Sequence, residues 1–96
     1  MQQENDDSNM IVIDVRTHGE FCRGHIEGSV NIPLNEIGDR IDEISAYNKA
    51  IMLCCASGVR SMQAYHLLSQ YGIKKVYNGG SWSILQHQLN DIKQPG

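Results

Sequence analysis

Residues 54–61, CCASGVRS, set two adjacent cysteines, a run of small residues and one arginine between the apolar stretch AIMLC and the helical-looking segment MQAYHLLSQYG. A thiol attacks as its anion, so the chemistry turns on what stabilises negative charge at sulfur. If AIMLC is a strand handing over to a helix, the free amides of that helix start point back into the loop. Successive N–H groups in a small-residue turn form an anion-binding nest. Ser57 and Gly58 allow tight curvature, and Gly58 takes a positive φ without steric cost. A thiolate at the mouth of such a nest is stabilised and nucleophilic at neutral pH, which makes Cys55 the candidate catalyst. Neighbouring strand side chains point to opposite faces, so Cys54 is expected in the core and a disulfide between the two is not. Cys22, within GEFCRGHI, reads as a helix residue facing partly inward.

The elements that must position this loop alternate in type. MIVIDV (Met10–Val15) is a nearly continuous apolar, β-branched run, as in a strand covered on both faces of a parallel sheet. THGE follows as a capping box from Thr17 to Glu20, predicting a short helix through Phe21 that ends near Gly24. SVNIP is a short second strand stopped by Pro33, and Leu34, Ile37, Ile41 and Ile44 recur at helical spacing with charges on the other face. AIMLC is the third strand, without alternation and therefore central. Met62, Tyr65 and Leu68 make an inward stripe on the next helix, with Gly72 as its C-cap. KKVYN reads as a strand, GGS as a turn, and Trp82, Leu85 and Leu89 mark a last helix with Trp82 in the core. Short loops between strands and helices imply right-handed crossovers. The expected fold is α/β: a small parallel β-sheet flanked by helices on both faces. Ligands of such sheets bind outside the carboxyl ends of the strands, where Asp14, Val15 and Arg16 share a rim with Cys54 and Cys55.

One domain is expected over residues 10–92, between a polar tail at 1–9 and a short C-terminal tail at 93–96. Ninety-six residues support a single core. The 41% apolar and 20% charged content is ordinary globular usage. A net charge of −3 supplies no general attraction to nucleic acid or an anionic membrane, so neither is an expected partner. No apolar stretch approaches the roughly 20 residues of a membrane span, and MQQENDDSN has neither the basic nor the apolar region of a signal peptide. Three cysteines make an odd count, which fits a reducing compartment. Cytoplasmic location is the expectation, with the periplasm as the alternative if a signal peptide had been removed. Cys22 and His25 are two potential zinc ligands where a structural site wants four, so neither metal nor cofactor is expected. His18, His25, His66 and His87 read as surface or scaffold, and Glu36, Asp39, Asp42 and Glu43 as a solvated helix face.

IDVRTHGEF, GHIEGSVNIP, CASGVRS and VYNGGSW, in this order and spacing, resemble the rhodanese (thiosulfate sulfurtransferase) family over about Met10 to Trp82. The resemblance implies a small parallel α/β fold in which Cys55 carries a persulfide between a small sulfur donor and a cyanide or thiol acceptor, with a protein acceptor also in range. By the same resemblance Ala56, Ser57, Gly58 and Val59 form the loop whose amides cradle the outer sulfur, and Arg60 closes it. Asp14 and Arg16 match a DxR at the end of the first strand, expected to brace the loop and help form an anionic entrance. Glu20 is a supporting residue, and His25, Gly28, Asn31 and Pro33 match scaffold positions. The chain departs from the family at Ala56, where many members carry a basic residue, leaving fewer cations for thiosulfate. It also lacks the leading strand and helix before MIVIDV, as the shortest single-domain rhodaneses do, among them a periplasmic phage-shock type.

Two other functions compete. Cysteine phosphatases of related folds separate Cys and Arg by five residues to wrap a phosphoryl group, whereas four lie between Cys55 and Arg60. One amide fewer makes a tighter ring, suited to a single sulfur atom. A non-catalytic rhodanese-like binding module is the alternative, usually betrayed by loss of the nucleophile, which is present here. A Cys–His hydrolase needs a base beside the thiolate, and spacing places none of the four histidines there.

Overall fold

The computed structural model describes residues 9–93. The tails expected at 1–9 and 93–96 lie outside it except for Asn9 and for Lys93, which ends the last helix. Strands β1 (Met10–Asp14), β2 (Val30–Asn31), β3 (Ala50–Cys55) and β4 (Val76–Ser81) form one parallel sheet in the order β2-β1-β3-β4. The two apolar runs with no alternation, β1 and β3, are the internal strands, as expected of strands covered on both faces. Helices α1 (His18–Cys22), α2 (Leu34–Ile37), α3 (Ile41–Ala46), α4 (Val59–Gln70) and α5 (Trp82–Lys93) fill the connections.

Alternation along each strand splits the core between the two faces of the sheet. Ile13, Val15, Leu53 and Cys55 join Ile37, Ile44, Ala64 and Leu68 on one face. Val12, Cys54, Ile26 and Leu85 pack on the other, with Trp82 and Leu89 against them. Each fully buried leucine or isoleucine contributes about 1.5–3 kcal/mol relative to exposure, so both layers are needed to hold the sheet.

Three local expectations are corrected. The stripe from Leu34 to Ile44 is not one helix: a 3-10 turn over Gly38–Arg40 separates α2 from α3. Glycine weakens a helix by about 1 kcal/mol relative to alanine. Ile37 and Ile44 still reach the core, and Arg40 ties the turn together through Glu36 and Glu43.

On α4 the buried residues are Ser61, Ala64 and Leu68, with Tyr65 half-buried, whereas Met62 is 42% exposed. The first turn of α4 is phased by its attachment to the Cys55 loop, which carries Met62 outward.

GGS is no turn but the end of β4. Leu53 pairs with Asn78 and Cys55 with Ser81, so β4 holds one residue more than β3 across this stretch, a β-bulge. Both glycines are required. A side chain at Gly79 would lie 2.9 Å from the Leu53 carbonyl, and Gly80 sits at φ +79°.

Candidate active site

Cys55 ends β3, and three residues later α4 begins with Gly58 as its N-cap, at φ +104°. Glycine supplies the left-handed turn but no side chain to satisfy the helix's first amides. The sulfur of Cys55 does so instead. The amide of Gly58 lies 2.9 Å from Sγ and that of Ser61 3.4 Å away. The loop is backed by the bulge of β4: a Cβ at Gly58 would stand 3.5 Å from the Gly80 Cα. Ala56, Ser57 and Val59 form its exposed rim.

Two features of the thiol differ from the sequence reading. Cys55 is 0% exposed, at the floor of the nest rather than its mouth, because the loop amides close on the bare sulfur itself. Its sulfur also meets a side chain that sequence reasoning missed, the buried Ser61 hydroxyl at 3.5 Å. Ser61 in turn lies 2.6 Å from Asn78 Oδ1, which also accepts from the Gly80 amide at 3.0 Å. The available signals were a serine directly after Arg60 and an asparagine interrupting an apolar strand before two glycines. Burial works against the Cys55 anion, but the Ser61 hydroxyl and amide and the Gly58 and Ser57 amides outweigh it and lower the thiol. Cys54 is the reverse case. Burial, reinforced by the nearby Asp14 carboxylate, pushes it up to about 12, so it stays a neutral thiol. Cys22 is exposed, with Sγ 3.4 Å from His18 Nε2, and His25 stacks on Phe21.

Arg60 forms a two-pronged pair with Glu20, at 2.8 and 3.1 Å. The capping box of α1 aims Glu20: Thr17 Oγ1 accepts from the Glu20 amide and Glu20 Oε1 accepts from the Thr17 amide. The Arg60 guanidinium, with the Thr17 amide and hydroxyl and against partial burial, holds the Glu20 carboxyl down at about 2. A carboxylate lowered on folding adds stability above its unfolded value and loses it as pH falls through the folded one. The Glu20–Arg60 contribution is therefore complete above about pH 4.5 and disappears toward about pH 2. Glu20→Gln keeps the capping box and removes the charge. The gap between wild type and Glu20→Gln in urea unfolding is expected to be constant from neutral pH to about 4.5 and to close toward 2. A gap that persisted to pH 2 would show that the pair is not its source.

Asp14 and Arg16 share the rim but do not reach the loop by any polar contact among the described residues. They pair with each other on the opposite face of the sheet, at 0% and 5% exposure. Arg16 Nη2 donates to Asp14 Oδ2 at 2.7 Å and Nε donates to both carboxylate oxygens. Arg16 also donates to the Gly24 carbonyl at 2.7 Å and lies 4.7 Å over the Trp82 ring. Asn31 donates to the carbonyls of Asp14 and Arg16. The expected anionic entrance is therefore not built from Arg16. Its charge is spent on Asp14, and the pair fastens the end of β1 to α5.

The rhodanese-like domain family matches residues 1–84. Thiosulfate sulfurtransferase PspE of Escherichia coli K12 is 34% identical over 84 residues, which are 86% of this chain and 74% of PspE. YrkF of Bacillus subtilis strain 168 is 38% identical over 77 residues, 80% of this chain, and the chain spans 41% of its length. A solved structure described as a rhodanese with anions from E. coli superposes with a TM-score of 0.70 and 32% identity, covering 90% of this chain and 94% of that one. In sequence and in three dimensions, then, the chain belongs to the rhodanese family of sulfurtransferases.

Proposed function

We propose that the chain takes sulfane sulfur from thiosulfate or a persulfide onto Cys55 and passes it to a thiophilic acceptor, cyanide or a thiol. The observation that carries this reading is the convergence of amides from the four-residue loop and the first turn of α4 on the Cys55 sulfur. In the first step the Cys55 thiolate attacks the outer sulfur of thiosulfate. A sulfur–sulfur bond forms at Cys55, the bond to the sulfite sulfur breaks, and sulfite leaves with the electron pair. In the second step cyanide attacks the outer sulfur of the persulfide, thiocyanate departs, and the thiolate is restored. The amides that stabilise the thiolate remain in place for the persulfide and for the thiolate leaving group, which is the electrostatic work the loop does.

Ala56 brings no cation, Arg60 is engaged by Glu20 and Arg16 is buried. A persulfide of a small thiol, or one carried by a protein, fits this rim better than the dianion thiosulfate. Incubation with glutathione persulfide, and separately with thiosulfate, is expected to add one sulfur to the intact mass. Cyanide or excess thiol should remove it, and the persulfide should load faster. Aryl phosphates should not be hydrolysed above background. A protein that gains sulfur from neither donor, yet hydrolyses aryl phosphate through Cys55, would overturn the proposal.

A further inference from the structure

Ser61 and Asn78 form a buried polar pair behind the sulfur whose hydrogen positions follow from the geometry. The Gly80 amide donates to Asn78 at 3.0 Å, so the atom it meets is the amide oxygen. That oxygen only accepts, and Ser61 Oγ lies 2.6 Å from it, so the Ser61 hydroxyl is the donor. A serine has a single hydroxyl proton. The Gly58 carbonyl, 3.1 Å from Ser61 Oγ, is a second and more distant acceptor for that proton. While the proton serves either oxygen, Ser61 presents a lone pair to Cys55 Sγ at 3.5 Å, the arrangement that accepts an S–H. A thiolate or persulfide anion gains the Ser61 proton only if the hydroxyl swings away from Asn78.

We propose that Asn78 is a positioning residue for Cys55: by competing for the one Ser61 proton it limits how far the Ser61 hydroxyl stabilises the Cys55 anion. This rests on the reading of Cys55 as the sulfur-carrying nucleophile, and it gives the asparagine of β4 a task that backbone pairing does not require. The hydroxyl thus divides its proton between Asn78 and the working sulfur. The other titratable groups near Cys55 are Arg60 of α4 with Glu20 of α1, Asp14 of β1 with Arg16, Cys54 of β3 and the half-buried Tyr65 of α4. Tyr77 of β4 is exposed. None of these changes when Asn78 does.

The test is the pH dependence of iodoacetamide alkylation, read on the Cys55 peptide by mass spectrometry in the folded full chain. Asn78→Ala removes the shorter of the two oxygen acceptors of Ser61, leaving the Gly58 carbonyl at 3.1 Å as the sulfur's only rival. It should move the Cys55 midpoint down by up to about one pH unit, a gain in thiolate of as much as about tenfold at fixed pH. Asn78→Asp keeps an acceptor for both Gly80 and Ser61 while adding a like charge, and should move the midpoint up. In a Ser61→Ala background, Asn78→Ala should leave it unmoved, as a coupling through Ser61 demands. A midpoint that stays or rises in Asn78→Ala, or an equal shift without Ser61, overturns the proposal. Should Asn78→Ala not fold, the direction of the Asn78→Asp shift decides, since a downward or absent shift is incompatible with it. Alkylation needs no sulfur donor, so its outcome stands apart from that of sulfur loading, on which the function proposed above depends.

Discussion

Replacing Cys55 with serine is expected to abolish sulfur loading from glutathione persulfide and from thiosulfate, while replacing Cys54 with serine leaves loading intact. The effect at Cys55 is all-or-none because an alcohol at this position is neither anionic at neutral pH nor able to carry a sulfane sulfur. The effect at Cys54 falls on stability. Cys54 is 0% exposed in an apolar cluster, and burying a hydroxyl there should cost about 1–3 kcal/mol. Intact mass after donor treatment reads the first effect and urea unfolding the second. A folded Cys54→Ser protein that failed to load, beside a Cys55→Ser protein that loaded, would reverse the assignment.

The largest expected effect on stability lies away from the loop. Arg16→Ala leaves the Asp14 carboxylate at 0% exposure without its cation. It also removes the bond to the Gly24 carbonyl and the contact with Trp82. Breaking one side of a buried pair costs about 3–5 kcal/mol, against about 5–15 kcal/mol for a whole domain. The variant is therefore expected to lose a large part of its folding free energy. Arg16→Lys should rescue little, because an ammonium cannot reproduce the guanidinium fork. The double change Asp14→Asn with Arg16→Met removes both charges and should be more stable than Arg16→Ala. Urea midpoints decide the matter, and an Arg16→Ala loss below about 1 kcal/mol would mean that water reaches Asp14.

The architecture was legible because β1 and β3 are apolar on both faces and each junction carries its own punctuation: Thr17 and Glu20 at α1, Gly58 at α4, Gly72 after it. What escaped depends on contacts between distant residues. The phase of α4 is set by how Cys55 Sγ hooks its first turn, and helical spacing alone fits Met62 as well as Ser61. The bulge at Gly79 arises only when β4 is laid against Leu53. At the site, the loop and its nucleophile are contiguous in sequence and so were readable. Arg60 instead meets Glu20 across 40 positions, and Ser61 meets Asn78 across 17. Arg16 has the composition of an exposed anion-binding residue, and only its fork on Asp14 beneath Trp82 reveals a structural use.

The two adjacent cysteines stand back to back, with the thickness of the sheet between their sulfurs. An oxidant that converts Cys55 to a sulfenic acid therefore finds no resolving thiol in the next residue, and the disulfide that usually halts further oxidation does not form between them. Cys54, neutral and buried, is spared the same attack. Recovery of oxidised Cys55 then needs a thiol other than Cys54, and a diffusing thiol that enters the loop is of the class of molecule proposed to discharge its persulfide. Sulfur transfer and repair would share one doorway, and a cell short of small thiols would lose both together.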